Sequence, residues 1–260
     1  MSYLIIEKKD NGVWSCCLNR VDKLNALSLD FISEATQFFK TAKAAADQGV
    51  LRTLILSSAS EKAFCVGADL KERKGMNDDE VVATLDKLKD LTCALENITA
   101  PTIAVIEGAA FGGGLELALC CDIRIVSPKA VMGLTETRLA IIPGAGGTQR
   151  LTKLVGPAKA KELIFRGLRF DGKQAALLGV ANHCVDKAEE FATNLADEIV
   201  QGGPLALRAA KEAVDGGAHL ATPEGLQVER KAYLKTLKSQ DRMEGLRAFE
   251  EKREAKYEGK

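Results

Sequence analysis

The first half of the chain repeats one course: an apolar run of strand type, a loop, then a helical pattern. LRTLILSS (51–58), PTIAVIEG (101–108) and DIRIVS (122–127) read as the strands. Helical spacing covers about Ser28 to Ala46, with Ser28 as N-cap, and about 78–97, with Asn77 and Asp78 at its start. Strands alternating with helices predict an α/β fold. Ahead of them, LIIEKK and VWSCCLN flank Asp10-Asn11-Gly12, which predicts a hairpin over 4–18. After Gly144 the pattern turns helical, and from Pro204 strand signals vanish. Residues 1–199 are expected to form the core and 200–260 a helical appendage for assembly. The alternative is that these helices cover the same core.

Within this course, EGAAFGGGLELAL (107–119) places three adjacent glycines before a helix, with Glu116 among leucines and alanines. Unpaired N–H groups at a helix start favour negative charge, which suits a phosphate or a developing oxyanion. A glycine run also lets a strand turn tightly into a helix. A carboxylate taken from water is costly unless it is paired or used. Glu116 fits a dipole-complementing carboxylate or a reacting group. Glu136, in GLTET, fits a loop charge, a cap or a second reacting group. Two carboxylates with different environments divide acid and base work. FCVGADLKER (64–73) and MGLTETRLAIIPGAGGTQR (132–150) also follow strand signals, where α/β folds gather ligand sites. No GK[ST] follows the glycines at 144–147, Gln149 breaks a GxGxxG pattern, and no GxSxG exists. The nucleotide and serine-hydrolase templates therefore fail.

Charge excludes other classes. In the 260 residues, 36 basic side chains balance 36 acidic ones, so there is no general pull toward nucleic acid or acidic lipid. Two histidines, His183 and His219, lie far apart, so no metal site is expected. Seven cysteines form no CxxC pair, and the odd count with no secretion signal implies a reducing compartment. Cys16–Cys17 and Cys120–Cys121, read as strand neighbours, should each put one thiol into the core. No apolar run reaches membrane-spanning length, and no secretory or transit peptide is visible.

Five stretches together resemble the enoyl-CoA hydratase/isomerase (crotonase) family: LNRVDKLNALS (18–28), FCVGADLKE (64–72), PTIAVIEGAAFGGGLELALCCDIRI (101–125), GLTETRLAIIPGAGGTQRL (133–151) and AFEEKR (248–253). The resemblance spans nearly the whole chain in family order. It implies a spiral of ββα turns, C-terminal helices that trimerise, a homotrimer or a hexamer of two trimers, and a coenzyme A thioester as ligand. No separate cofactor is implied, because coenzyme A is part of the substrate. By position, the oxyanion hole falls on the N–H groups of Ala68 and Gly113, the catalytic pair on Glu116 and Glu136, and water positioning on Gly144. Lys71, Phe249 and Lys252 match coenzyme A contacts, the last two sometimes made across subunits. Many hydratases carry lysine where this chain has Asp22, and here Lys23 comes one place later.

Both glutamates favour hydration over isomerisation, since the family's isomerases often keep one. ADLKERKGMNDDEV (68–81) and MGLTETRLAIIPGAGGTQRL (132–151) resemble the methylglutaconyl-CoA hydratases of leucine degradation, with short-chain fatty-acid hydratases as the alternative. A diacid would want a cation in the pocket, with Arg138 or Lys74 as candidates. Relatives of that branch are also described as RNA-binding, but the first helix offers only Lys40 and Lys43 beside Glu34 and Asp47. The implied compartment is the mitochondrial matrix for a eukaryotic source and the cytoplasm otherwise.

Overall fold

A computed structural model describes residues 2–260. The chain opens as the expected hairpin, with β1 (Leu4–Lys8) antiparallel to β2 (Val13–Leu18). Helix α1 (Leu29–Asp47) starts where Ser28 Oγ accepts from Phe31 N–H. The next turn is β3 (Thr53–Ser58), β4 (Ala63–Cys65), the one-turn helix α2 (Leu70–Arg73) and α3 (Asp78–Glu96). Asn77 and Glu80 exchange side-chain-to-backbone hydrogen bonds at the start of α3, a capping box that fixes its first turn. Another turn follows with β5 (Thr102–Ile106), β6 (Ala109–Phe111) and α4 (Gly113–Ala118). The fourth has β7 (Ile123–Val126), β8 (Val131–Gly133), a 3-10 turn at Glu136–Leu139, α5 (Gly147–Val155) and α6 (Pro157–Phe165). Then come β9 (Phe170–Asp171), α7 (Gly172–Leu177), β10 (His183–Cys184), α8 (Ala188–Ile199), α9 (Pro204–Gly217), α10 (Thr222–Thr236) and α11 (Gln240–Glu251).

Two sheets result. The larger runs β1-β2-β3-β5-β7-β10 and the smaller β4-β6-β8-β9. The three turns that begin at β3, β5 and β7 each lay one strand in the large sheet and one in the small sheet before the helix, which is the ββα spiral, while the opening hairpin lies wholly in the large sheet. The second strands of these three turns, β4, β6 and β8, have only three residues each, too short for periodicity to register.

The centre of the large sheet is covered on both faces, which explains the apolar runs of β3 and β5. Leu54, Leu56, Ala104 and Ile106 face the main core with Phe31, Phe39, Leu91 and Leu95. Ile55, Ile103, Val105 and Ile125 face α8, whose Ala188, Ala192 and Ala196 repeat every four residues and form its packing stripe. The cysteines follow this geometry only in part. Cys16 is buried and Cys17 is half-buried, as alternation on β2 requires. Cys120 and Cys121 are both buried. They lie in the turn that closes α4, where strand alternation does not apply.

Helix α9 rests on the core through polar latches, and α10 and α11 follow it. Lys211 Nζ donates to Asp122 Oδ2 at 2.7 Å, and Arg208 donates to the carbonyl of Ala46 at the end of α1. Their outer faces expose Val214, Leu226, Tyr233, Leu234, Met243, Leu246 and Phe249, each more than half accessible.

Candidate active site

Three stretches, one after each small-sheet strand β4, β6 and β8, meet around one cavity. After β4, Val66 N–H donates to Leu24 O and Asp69 N–H to Leu27 O, while Leu27 N–H donates to Gly67 O. Between these anchors, Ala68 N–H has no acceptor among the described residues. After β6, Gly113 opens α4, and its N–H likewise has none. The two donors are neighbours: a Cβ on Gly113 would lie 3.9 Å from Ala68 N. Gly112 holds φ +51° and ψ −124°, which side chains other than hydrogen resist. A Cβ on Gly114 would stand 2.0 Å from Cys65 O, so α4 packs against β4 only with glycine there. The glycine run thus serves both readings of the sequence, a tight turn and exposed donors.

Glu116 is 2% exposed, and its Oε1 accepts from Ala145 N–H at 2.8 Å and Gly147 N–H at 2.7 Å. Burial raises its pKa, against the opposing pull of those donors and of Arg150. Arg150 secures the same loop by donating to Ala145 O and, bidentately, to Glu96. After β8, Glu136 is half-buried at the start of the 3-10 turn. Its Oε2 is buried with no hydrogen-bond partner among the described residues, and Oε1 lies 3.0 Å from the position of a Gly112 Cβ. Burial, with the Glu116 charge adding to it, pushes the Glu136 carboxyl up to about 7.

A cavity of about 220 Å³ joins these groups, lined by Ala68, Gly113, Glu116, Glu136 and Gly144. Gly144 N–H is without an acceptor among the described residues. Leu70, Leu85, Leu88, Leu139, Ile141 and Ile142 supply an apolar wall. A backbone pair able to hold an oxyanion, a carboxylate held by donors and a protonatable carboxyl therefore face one apolar-walled space. That set is suited to acid–base chemistry next to a polarised carbonyl.

Cations also line the cavity, but not the expected ones. Arg138 lies exposed and donates to Arg166 O, and neither it nor Lys74 reaches the lining. Instead Arg73 and Arg169 do. Residues three apart share a helix face, so α2 presents Leu70, itself exposed, and Arg73 to the cavity. Arg73 is half-buried and its guanidinium has no partner among the described residues. Arg169 stacks over the Phe111 ring at 4.7 Å. The Leu70–Arg73 spacing was a readable signal; Arg169 had none, since it arrives from beside β9. Lys71, Lys23, Phe249 and Lys252 lie outside the lining. Lys23 sits 3.5 Å from Asp22, and Phe249 is 87% exposed on α11. Among the described residues no cluster of three or more His, Cys, Asp or Glu is placed to hold a metal ion, and no helix is long and apolar enough to cross a membrane.

The family model described as Enoyl-CoA hydratase/isomerase matches residues 8–260. A mouse (Mus musculus) protein named methylglutaconyl-CoA hydratase, mitochondrial, is 42% identical over 98% of this chain and 82% of its own. Mouse enoyl-CoA hydratase domain-containing protein 2, mitochondrial, is 44% identical over 96% of this chain and 86% of its own. Among solved structures, an enoyl-CoA hydratase from Bacillus anthracis superposes with a TM-score of 0.96 at 42% identity, covering 100% of both chains. The chain belongs to the enoyl-CoA hydratase/isomerase family and has the crotonase fold.

Proposed function

We propose that this chain is a hydro-lyase that adds water across the double bond of a 2-enoyl-CoA, with 3-methylglutaconyl-CoA as its substrate. The observation that carries the reading is the convergence of Glu116, Glu136 and the free N–H groups of Ala68 and Gly113 on one cavity. The thioester oxygen sits between the two N–H groups, which hold the charge that develops as the enolate forms. Glu116 has two donors that support its charge; Glu136 has none on Oε2. Glu116 is therefore the base and Glu136 the acid. Glu116 takes a proton from water positioned by Gly144 N–H, the hydroxide adds at C3, and Glu136 gives its proton to C2. Transfer of a proton from Glu116 to Glu136 restores the start. No group beyond the substrate's own coenzyme A enters these steps.

The half-buried Arg73 supports the diacid, because a guanidinium in an apolar-walled cavity is matched by a terminal carboxylate. The apolar wall of Leu85, Leu88, Ile141 and Ile142 favours the second reading, a short-chain enoyl-CoA such as crotonyl-CoA. An isomerase is the weaker alternative, since both carboxyls face the cavity. Lys71, Lys23, Phe249 and Lys252 are proposed coenzyme A contacts, the last two completed by a neighbouring subunit. The exposed apolar residues of α9 to α11 support a trimer or a pair of trimers. The mitochondrial relatives and the Bacillus anthracis hydratase support a mitochondrial matrix or bacterial cytoplasmic location.

Hydration of 3-methylglutaconyl-CoA and crotonyl-CoA by the wild type, Glu116→Gln and Glu136→Gln tests the reading. Preference for the diacid, lost in both variants, is expected. Preference for crotonyl-CoA with the same losses moves the enzyme to fatty-acid oxidation. Turnover of neither by the wild type overturns the hydratase reading, and activity surviving both substitutions overturns the two-glutamate mechanism.

A further inference from the structure

We infer that Asn25 and the Arg20–Asp69 ion pair are positioning residues that aim the Ala68 N–H at the thioester. The inference rests on Ala68 being half of the oxyanion hole. Residues 24–27 run beside 66–69 and hold that segment at Val66, Gly67 and Asp69, leaving Ala68 N–H as the donor that points away. What holds 24–27 is unusual. Asn25 is fully buried at φ +56°, next to Leu24 at φ +51°. Such angles cost energy in non-glycine residues and persist where surrounding bonds over-determine them. Here the carboxamide supplies those bonds. Its Oδ1 accepts from Arg20 N–H at 2.7 Å, and its Nδ2 donates to Ser58 Oγ at 2.8 Å and Phe64 O at 2.9 Å. The Asn25 carbonyl also accepts from Cys65 Sγ at 3.0 Å.

The second clamp closes on the residue after Ala68. Arg20 Nη1 donates to Ala26 O at 2.8 Å and to Asp69 Oδ2 at 2.7 Å, with both side chains mostly shielded. The other Asp69 oxygen accepts from Lys71 N–H and caps α2. One carboxylate thus ties the oxyanion segment, the 24–27 segment and the helix carrying Arg73. Neither Arg20 nor Asn25 lines the cavity, so neither touches substrate. A misplacement of about 1 Å costs about a hundredfold in rate, and losing one oxyanion donor costs about 10²–10³ in kcat.

The test uses the intact protein with Arg20→Gln, Arg20→Lys and Asn25→Ser. The readouts are kcat and KM for crotonyl-CoA, and the absorption of a bound aromatic enoyl-CoA whose band moves red as its carbonyl is polarised. Arg20→Gln and Asn25→Ser are expected to lose about tenfold or more in kcat with KM changed less than about twofold, and to show a smaller red shift. Arg20→Lys is expected to recover most of both. If Asn25→Ser does not fold, Arg20→Gln decides. A lower melting temperature with unchanged kcat and an unchanged red shift would mean the contacts are only structural and overturn the inference. No red shift in the wild type removes the oxyanion-hole assignment, and this inference with it; a wild-type shift that Arg20→Gln leaves intact overturns this inference alone.

Discussion

Replacing Glu136 by glutamine should make the protein less active and more stable at once. The carboxyl is half-buried, Oε2 has no partner among the described residues, and burial with the Glu116 charge pushes its pKa from 4.5 to about 7. Between those values the unfolded chain has released this proton and the folded chain keeps it. Folding stability therefore falls as pH rises across that window, and the full penalty stands above about pH 7. The raised pKa corresponds to about 3 kcal/mol. Solvent screening at a partly exposed group and the imperfectly paired amide that glutamine introduces reduce the net gain to about 1–2 kcal/mol.

For a chain of this size that is a rise of about 2–6 °C in Tm. The gain should appear at about pH 8 and vanish near pH 4, below the unfolded pKa. Hydration should fall by about 10²–10⁴, the usual worth of a general acid. Thermal melts of wild type and Glu136→Gln at both pH values, at one protein concentration, together with initial rates on crotonyl-CoA and 3-methylglutaconyl-CoA, check this. A variant no more stable than wild type at the higher pH, or one that keeps more than about a tenth of the rate, refutes the reasoning. The first result would mean the carboxyl is not destabilised by its surroundings, and the second that it is not the acid.

Arg73→Leu should lower kcat/KM for the diacid by about 10–100-fold, the loss of one charge-assisted hydrogen bond, and leave crotonyl-CoA within about threefold in the same steady-state assay. In a pH–rate profile, kcat/KM should decline above about pH 7 as Glu136 of the free enzyme releases its proton, and a plateau to pH 9 would count against its acid role. Gly114→Ala should lower Tm by several degrees or abolish soluble expression, because its Cβ would overlap Cys65 O at 2.0 Å. Leu226→Asp with Tyr233→Asp, two exposed residues of α10, should reduce the mass measured by light scattering toward a single subunit.

The parts legible in the sequence were those with a local physical cause. β3 and β5 announce themselves because burial on both faces demands apolar runs, and β7 through the isoleucines and valine that flank the buried Arg124. α1 and α3 announce their starts through Ser28 and Asn77. The small sheet left no periodic trace, since β4, β6 and β8 have three residues each. Cys120 and Cys121 misled because a helix-closing turn, not a strand, holds them. Glu116 and Glu136 were legible as candidates, but the partners of Glu116 are Ala145 and Gly147, 29 and 31 residues onward. Backbone donors at that separation carry no side-chain signature. For the same reason the pocket cation was sought at Arg138, whereas one turn of helix places Arg73 inward and a distant segment delivers Arg169.

The spiral itself explains why the chemistry gathers where it does. β4, β6 and β8 are parallel neighbours in the small sheet, so equivalent points on successive turns lie about 4.8 Å apart. The residues just past each strand are such points. One turn ends in Ala68 N–H, the next in Gly113 N–H with Glu116 a turn of helix beyond, and the third in Glu136, with Gly144 following after the 3-10 turn. Stacking the same part of the repeat thus brings donors and acids from three segments within reach of one small molecule. A loop on a single element would have to fold back on itself to do the same. On the proposed mechanism the arrangement also separates the tasks: the first two turns would hold the carbonyl, and the second and third hold the carboxyls. Substitutions after β4 should therefore act on carbonyl polarisation and those after β8 on proton transfer, a division that the red-shift and pH-profile measurements read independently.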